Sequence, residues 1–257
     1  MFGICKLSVV PCKAEPSHKS EMVTQLLFGE TYQVLKEEED WIHIKITFDN
    51  YECWIHKKQH TAITTEIAEQ IAQSPLTIVS ELIQPISCGI ASMPITAGCS
   101  LPLVKGKDFK IADTEYQYEG AFKRIDFSSP KKKEVVEYAY LFLNSPYLWG
   151  GKSPFGIDCS GFTQLVYKLS GYKLPRDAYQ QAELGTPLSF VDEGEPGDLA
   201  FFDNTEGKIT HVGILLKNNK IIHSSGYVRI DNLDHQGIFN KELGKYTHNL
   251  RVLKRLF

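Results

Sequence analysis

The first part of the chain alternates hydrophobic and polar positions with the period of a β-strand. In WIHIKITF, every second residue from Ile42 to Phe48 is apolar, and the residues between them are mostly polar. Short apolar stretches of this kind recur up to about residue 60, separated by turn residues such as Gly29 and Asn50. Several short strands joined by such turns predict a small β-barrel over residues 1–60.

The pattern changes to that of a helix after residue 60. Apolar residues recur every four positions from Ile63 to Ile71, which predicts a helix over residues 61–73 that Pro75 ends. From residue 76 to about residue 127 the chain again favours strands and turns. The segment 61–127 is therefore a linking helix followed by either a second, more divergent barrel or an irregular β extension of the first.

Residues 128–257 combine helical patterns with later strand patterns, which predicts an α+β domain. In GIDCSGFTQLVYKLSG, four apolar residues lie at positions i, i+3, i+4 and i+7 and form one buried helical face, which Gly171 terminates: Phe162, Leu165, Val166 and Leu169. The strand patterns that follow are DLAFF, THVGILLK and KIIHSS.

Cys159 lies at a position that favours a reactive thiol, the start of a predicted helix. Asp158 occupies the N-cap position of the predicted helix, so Cys159 lies in its first turn. The positive end of the helix dipole stabilises a thiolate, and we therefore expect a lowered pKa for this cysteine. The backbone N–H groups of the same turn offer an oxyanion site.

His211 and His223 lie on two consecutive predicted strands, with Asn218 and Asn219 at the turn. A two-residue loop would place the two imidazoles on opposite faces of the hairpin, because side chains alternate along a strand. For the rings to meet, the loop needs an odd number of residues or a bulge must shift the register. We predict such an irregularity.

Composition narrows the classes of function. The 257 residues are enough for several small domains, and a net charge of −3 without a basic stripe argues against nucleic acid. No apolar run is long enough for a membrane helix, and the N-terminal residues lack the pattern of a secretory signal. Six cysteines without a CxxC pair indicate a reducing, cytoplasmic setting.

Six motifs, in this order and spacing, make the last domain resemble the NlpC/P60 family: PYLWGG (146–151), DCSG (158–161), LPRDA (174–178), EPGDLAFF (195–202), ITHVGI (209–214) and IIHSSG (221–226). The first 60 residues resemble a bacterial SH3-like domain, with a Gly29-Glu30 turn, an acidic loop before Trp41 and a closing Tyr51-x-x-Trp54. The resemblance implies a papain-like catalytic domain over residues 128–257, preceded by one or two SH3-like barrels.

The same resemblance implies a cysteine peptidase that cuts murein stem peptides of the type L-Ala-γ-D-Glu-diaminopimelate after the D-glutamyl residue, in cell-wall recycling or turnover. It makes Cys159 the nucleophile, His211 the base and His223 the residue that orients His211. In similar proteins the first SH3-like domain closes one end of the cleft, so that a free amino end is required. No metal or organic cofactor is implied, and the oligomeric state stays open.

The resemblance also implies substrate-binding positions. Asp158, with Glu30 and Tyr51 of the first barrel, corresponds to groups that receive the substrate ammonium. Arg176 is the expected counter-charge for a substrate carboxylate. The further positions near the cleft are Tyr147, Trp149, Ser160 and Asp177.

Other functions remain open from the sequence. Cys159, His211 and His223 are also a possible set of zinc ligands, although a structural zinc site usually brings ligands in closely spaced pairs. A wall-binding protein with a vestigial last domain is the second alternative. The third is a different acyl transfer by the same thiolate, as in amidases or lipid acyltransferases.

Overall fold

A computed structural model describes all residues, 1–257, and the chain divides into two compact units. The first unit holds residues 1–128 together with residues 149–154, and the second holds residues 129–148 and 155–257. The first unit thus contains both predicted N-terminal segments and a short piece of the predicted last domain. No helix is long and apolar enough to cross a membrane.

The first unit is built almost entirely of strands. Its elements are β1 (Phe2–Ile4), β2 (Val9–Lys13), β3 (Met22–Leu27), β4 (Thr31–Glu38), β5 (Trp41–Ile46), β6 (Glu52–His56), β7 (Ala62–Ile63), α1 (Thr65–Gln73), β8 (Thr77–Val79), β9 (Ile83–Cys88), β10 (Ala91–Thr96), β11 (Asp108–Ile111), β12 (Thr114–Gln117), β13 (Phe122–Arg124) and β14 (Lys152–Ser153).

The second unit has three helices and eight strands. They are α2 (Lys132–Leu141), β15 (Gly156–Ile157), α3 (Cys159–Leu169), α4 (Ala178–Gln181), β16 (Thr186–Leu188), β17 (Leu199–Asp203), β18 (Ile209–Leu216), β19 (Lys220–Ser225), β20 (Tyr227–Leu233), β21 (Gly237–Asn240) and β22 (Lys245–Arg255).

The predicted N-terminal barrel is present. Seven antiparallel strands lie in the order β3-β2-β6-β5-β4-β1-β7. The alternating apolar residues of β5 point into its core, where Ile42, Ile44 and Ile46 are fully buried. Alternation in the sequence therefore predicted both the strand and its buried face.

The linking helix begins later than predicted. Residues 62–63 form β7 and pair with β1, so α1 starts only at Thr65. The Thr64 hydroxyl accepts a hydrogen bond from the Ile67 N–H at 3.3 Å and caps the helix. A short strand pairing thus replaced the first turn that the apolar spacing indicated.

Residues 76–127 form sheets of their own. A four-stranded sheet has the order β10-β9-β12-β11, and β13 pairs with β8. The segment packs on the first barrel through Phe28, whose ring contacts those of Phe109 and Tyr116 edge-on.

In the second unit, strands lie in the order β16-β22-β17-β18-β19-β20-β21, and an additional pairing of β21 with β22 closes the sheet on itself. Helix α3 packs against β18 and β19. All its residues are buried, including the polar side opposite the predicted apolar face. Gln181 covers that polar side and accepts a hydrogen bond from the Thr163 hydroxyl at 2.7 Å. Gly171 follows the helix with φ of 83°, as its predicted role as terminator requires.

Candidate active site

Cys159 opens helix α3, as the sequence predicts. Asp158 is the N-cap, and its carboxylate accepts a hydrogen bond from the Gly161 N–H at 2.6 Å. Cys159 is 8% exposed, and its Sγ lies 4.0 Å from the carbonyl oxygen of Thr210 on β18. The sulfur thus lies at the junction between the helix start and the sheet.

Asp158 is held by a buried arginine. The Arg176 guanidinium donates to both carboxylate oxygens, at 2.6 and 3.1 Å, and to the Ser160 hydroxyl at 2.9 Å. Arg176 is only 1% exposed. This placement differs from the expectation that Arg176 faces a substrate carboxylate, because both of its terminal nitrogens are engaged at the base of α3. Ser160 is buried in the same network.

The two predicted histidines meet on one face of a hairpin. In the register of β18 with β19, Leu216 pairs with Lys220 and Gly213 with His223, which leaves Lys217, Asn218 and Asn219 in the loop. Three is an odd number, so the predicted irregularity is confirmed. The Nε2 of His211 lies 2.8 Å from the Nδ1 of His223.

Asp231 extends the hydrogen-bonded pair of His211 and His223 to three residues, and the sequence analysis did not predict it. Its Oδ2 lies 3.1 Å from the Nε2 of His223, and it also accepts a hydrogen bond from the Nε of Arg229 at 2.8 Å. Strand β20 places it there, because His223 pairs with Arg229 and Asp231 is two residues further along. An aspartate inside the strand pattern YVRIDNL was the available signal, since strands disfavour this residue.

The hydrogen bonds assign the tautomers of both imidazoles. Burial opposes ionisation of Asp231, but hydrogen bonds from His223 and Arg229 hold its pKa below the usual value, so it is a carboxylate. A carboxylate only accepts, so the Nε2 of His223 carries a proton and its Nδ1 is an acceptor. His211 then donates from Nε2, which leaves its Nδ1 unprotonated. That nitrogen therefore has a lone pair that can accept a proton.

The pKa shifts of Cys159 and His211 correct one expectation of the sequence analysis. Burial, and then the negative charge of Asp158, raises the pKa of Cys159 to about 12. Burial, and then the neighbouring His223 and His248, lowers the pKa of His211 well below its usual value. The prediction of a lowered thiol pKa is therefore wrong, because desolvation outweighs the helix dipole at this buried position. The resting pair is a neutral thiol and a neutral imidazole.

His248 on β22 also reaches this cluster, and the sequence offered no signal for it. Its ring is stacked on that of His211, with centroids 4.1 Å apart. Strand β17 lies between β18 and β22, and register shifts at Phe202 affect its pairing with both. Such bulges redirect side chains beside active sites. Burial, and then His223, lowers the pKa of His248 to about 4.

Comparison with known proteins identifies the family. Residues 144–247 match the NlpC/P60 family, and residues 14–59 match the bacterial dipeptidyl-peptidase Sh3 domain. A γ-D-glutamyl-L-lysine dipeptidyl-peptidase of Bacillus subtilis (strain 168) is 30% identical over 218 residues, covering 78% of this chain and 71% of that protein. The chain belongs to the NlpC/P60 family. It is a cysteine peptidase, and therefore a hydrolase.

Further relatives agree with this assignment. Dipeptidyl-peptidase 6 of Lysinibacillus sphaericus is 28% identical over 253 residues, which cover 87% of this chain and 88% of that protein. The crystal structure of an NlpC/P60 family protein from Bacillus cereus ATCC 10987 superposes with a TM-score of 0.83 at 21% identity and covers 99% of both chains. The predicted α+β architecture, a papain-like NlpC/P60 domain preceded by an SH3-like barrel, is confirmed.

Within the NlpC/P60 domain, two more predicted site residues lie in the second unit. The Tyr147 N–H donates to the carbonyl of Gly226 at 2.9 Å. Burial, and then the charges of Cys159 and Asp158, raises the pKa of Tyr147 to about 12, so it stays a neutral phenol. Asp177 is the N-cap of α4, where its N–H donates to the side chain of Gln180 at 3.2 Å.

The remaining predicted residues lie in the first unit. Trp149 is 59% exposed, and its indole N–H donates to Glu21. Glu30 is buried, accepts a hydrogen bond from the Leu27 N–H at 3.0 Å and lies 3.5 Å from the Nζ of Lys152. Tyr51 packs against the core of the barrel. A substrate role for these three residues stays a prediction.

Gly213 of the ITHVGI motif lies directly opposite His223, and sequence reasoning missed it. A Cβ added there would come within 2.8 Å of the Cβ of His223 and 2.7 Å of a methyl carbon of Ile221. Glycine inside a strand often marks such a close approach. Only a residue without a Cβ fits opposite His223 without displacing it. Glycine at position 213 therefore allows His223 to stay within hydrogen-bond distance of His211.

We therefore expect Gly213→Ala to lower kcat about 10–100-fold by displacing His223 from His211, since small misplacements of catalytic groups have effects of this size. Steady-state kinetics below the melting temperature of the variant measure the change. Lys217→Ala, at an exposed position in the same hairpin, is the matched control and should behave like the wild type. Unchanged kinetics in Gly213→Ala would show that the hairpin adapts without moving His223.

Proposed function

We propose that this peptidase hydrolyses the γ-D-glutamyl-L-diamino acid bond of murein stem peptides, releasing L-Ala-D-Glu, in the turnover or recycling of cell-wall peptides. The relatives named γ-D-glutamyl-L-lysine dipeptidyl-peptidase support this choice. Their similarity extends beyond the NlpC/P60 domain, because the two alignments cover 78% and 81% of this chain.

The observation that carries the proposal is the chain of hydrogen bonds from Asp231 through His223 to His211. In the proposed reaction the Nδ1 of His211 takes the proton of Cys159, and the thiolate attacks the γ-carbonyl carbon of D-Glu. Backbone N–H groups of the first turn of α3 stabilise the oxyanion. Protonated His211 then gives its proton to the leaving amine, and water deprotonated by the same imidazole releases the acyl group.

The substrate amino end is proposed to be free, with Asp158 of the second unit as a receiver of its ammonium. Glu30 and Tyr51 of the first unit keep the substrate-binding role that the resemblance implies. Each of the two carboxylates already has a cationic partner, Arg176 for Asp158 and Lys152 for Glu30. Because these cations neutralise the two carboxylates, recognition of the substrate ammonium depends more on hydrogen bonds to their oxygens than on a net negative charge of the site. A hydrogen bond to a charged group contributes about 1.5–3 kcal/mol, which corresponds to roughly 10–100-fold discrimination.

A reducing, cytoplasmic compartment is part of the proposal. All six cysteines are free thiols, and five of them lie outside the candidate site. Persistent free thiols are typical of proteins kept in a reducing environment. Peptides already released from the wall would then be the substrates.

Mass spectrometry of reaction products tests the proposed function. The substrates are L-Ala-γ-D-Glu-L-Lys, its meso-diaminopimelate counterpart, the same peptides with an acetylated amino end, and an α-linked isomer. We expect release of L-Ala-D-Glu from the free γ-linked peptides, and cleavage of the acetylated forms at least about tenfold more slowly. Cleavage of the α-linked isomer at an equal rate, or of none of the peptides, would contradict the proposal.

The pH dependence of kcat/KM tests the neutral resting pair. Because burial lowers the pKa of His211 well below 6.5, the base stays unprotonated in mildly acidic solution. We expect activity to fall toward acid with a midpoint below 6.5 and to show no rise near pH 8.5, where an ordinary thiol would ionise. A midpoint at or above 6.5, or a rise that follows free-thiol ionisation, contradicts this prediction.

A further inference from the structure

Three imidazoles converge in the second unit. His211 on β18, His223 on β19 and His248 on β22 each offer one ring nitrogen, and these three nitrogens lie within 4.8 Å of one another. Two of the residues are buried, and His248 is half-buried. The peptidase mechanism uses two of them and leaves the third, His248, without a chemical task.

The spacing is close to that of a metal site. Zn²⁺ binds histidine nitrogens at about 2.0–2.1 Å in tetrahedral geometry, which places two ligand nitrogens roughly 3.3 Å apart. The shortest separation here, between His211 and His223, is 2.8 Å, and none exceeds 4.8 Å. The separations in the cluster therefore bracket the distance that a tetrahedral zinc site requires.

In metal-binding histidines, the ring nitrogen that does not bind the metal usually donates a hydrogen bond to a nearby acceptor. Two of the three imidazoles here have such an acceptor. His223 donates its Nε2 proton to Asp231, which directs the lone pair of its Nδ1 into the cluster. The Nδ1 of His248 lies 2.9 Å from the Thr247 hydroxyl, which itself donates to the carbonyl of Ile238. The Thr247 hydroxyl therefore accepts a hydrogen bond from the Nδ1–H of His248. The Nε2 of His248 then has the lone pair that can bind a metal ion.

We propose that His211, His223 and His248 form an inhibitory binding site for a borderline-soft divalent cation, represented by Zn²⁺. Imidazole suits such ions, whereas Mg²⁺ and Ca²⁺ prefer oxygen ligands. Three protein ligands leave a fourth position of the tetrahedron for a water molecule.

Binding there removes the base. His211 must give up its Nε2 proton to become a ligand, and in the neutral ring that proton moves to Nδ1. The Nδ1 atom then has no lone pair for the proton of Cys159, so the thiol stays protonated. This inhibition follows from the histidine cluster and does not depend on the nature of the peptide substrate.

Metal binding to the tag-free 257-residue chain tests the inference without substrate. Equilibrium dialysis against Zn²⁺ followed by elemental analysis gives stoichiometry and affinity, and visible absorption of the Co²⁺ form gives the coordination geometry. We expect about one Zn²⁺ per chain, a tetrahedral Co²⁺ spectrum and no competition by Mg²⁺.

His248→Gln removes the ligand that has no part in the proposed mechanism, and His235→Gln at an exposed position is the matched control. We expect His248→Gln to weaken binding at least about 10–100-fold and His235→Gln to leave it unchanged. Equal binding by wild type and His248→Gln, or loss of binding in Cys159→Ala but not in His248→Gln, overturns the inference. Absence of stoichiometric binding at micromolar Zn²⁺ overturns it as well.

Discussion

Cys159→Ala is expected to lower kcat for cleavage of the proposed γ-glutamyl substrate by about 10⁴–10⁶-fold, the range seen when a catalytic nucleophile is removed. Without the sulfur no acyl-enzyme forms, and the oxyanion site can only assist direct attack by water. Cleavage of the tripeptide by purified variant and wild type, followed by mass spectrometry of products, measures the effect. The same preparation should keep its circular dichroism spectrum, since the substitution removes a single small side chain.

Two controls make this prediction specific. Cys88→Ala removes a half-buried thiol of the first unit and should leave kcat unchanged. The double variant Cys159→Ala/His211→Ala should be no less active than Cys159→Ala alone, because residues that act as one unit are not additive. Residual activity of Cys159→Ala within about tenfold of wild type would remove Cys159 from the mechanism.

Asp231→Asn is expected to lower kcat about 100-fold with little change in KM. The amide can donate to the Nε2 of His223, which favours the tautomer with a proton on Nδ1. That proton points at the Nε2 of His211 and drives its own proton to Nδ1, where it blocks acceptance from Cys159. Where the carboxylate contacts the base directly, the wrong tautomer lowers kcat about 10⁴-fold. Here His223 lies between Asp231 and the base His211, so we expect a smaller loss of kcat.

The readouts for Asp231→Asn separate positioning from stability. The ¹⁵N chemical shifts of the His211 and His223 rings report the tautomers, which a merely structural role would not change. Glu242→Gln is the matched control, because Glu242 shares the Arg229 guanidinium with Asp231 but has no hydrogen bond to His223. Unchanged ring shifts in Asp231→Asn, or an equal loss of kcat in Glu242→Gln, would contradict the relay.

The neutral resting pair has a consequence for chemical stability. The thiolate is the form of cysteine that oxidants and alkylating agents attack. Because the pKa of Cys159 is raised to about 12, little thiolate exists before substrate binds. We therefore expect Cys159 to resist alkylation and oxidation in the absence of substrate.

Several features follow from local sequence alone. Asp158 caps α3 and Cys159 opens it because a short acceptor side chain before an apolar helical pattern satisfies the free N–H groups of the first turn. The parity of the hairpin also follows, since two histidines separated by an even number of residues share a face only with an odd loop or a bulge. Alternation in β5 likewise predicted the buried face formed by Ile42, Ile44 and Ile46, whereas the burial of Trp41 on the other face does not follow from it.

Other features depend on contacts between distant segments. Asp231 reaches His223 only through the register of β19 with β20. His248 lies on the face of His211 because the register of β17 with β22 shifts between Phe201 and Phe202. Arg176 is withdrawn from solvent because the chain after α3 folds back to the start of that helix. The pKa of Cys159 changed direction for the same reason: the helix dipole is local and readable from sequence, whereas desolvation depends on everything that packs around the sulfur.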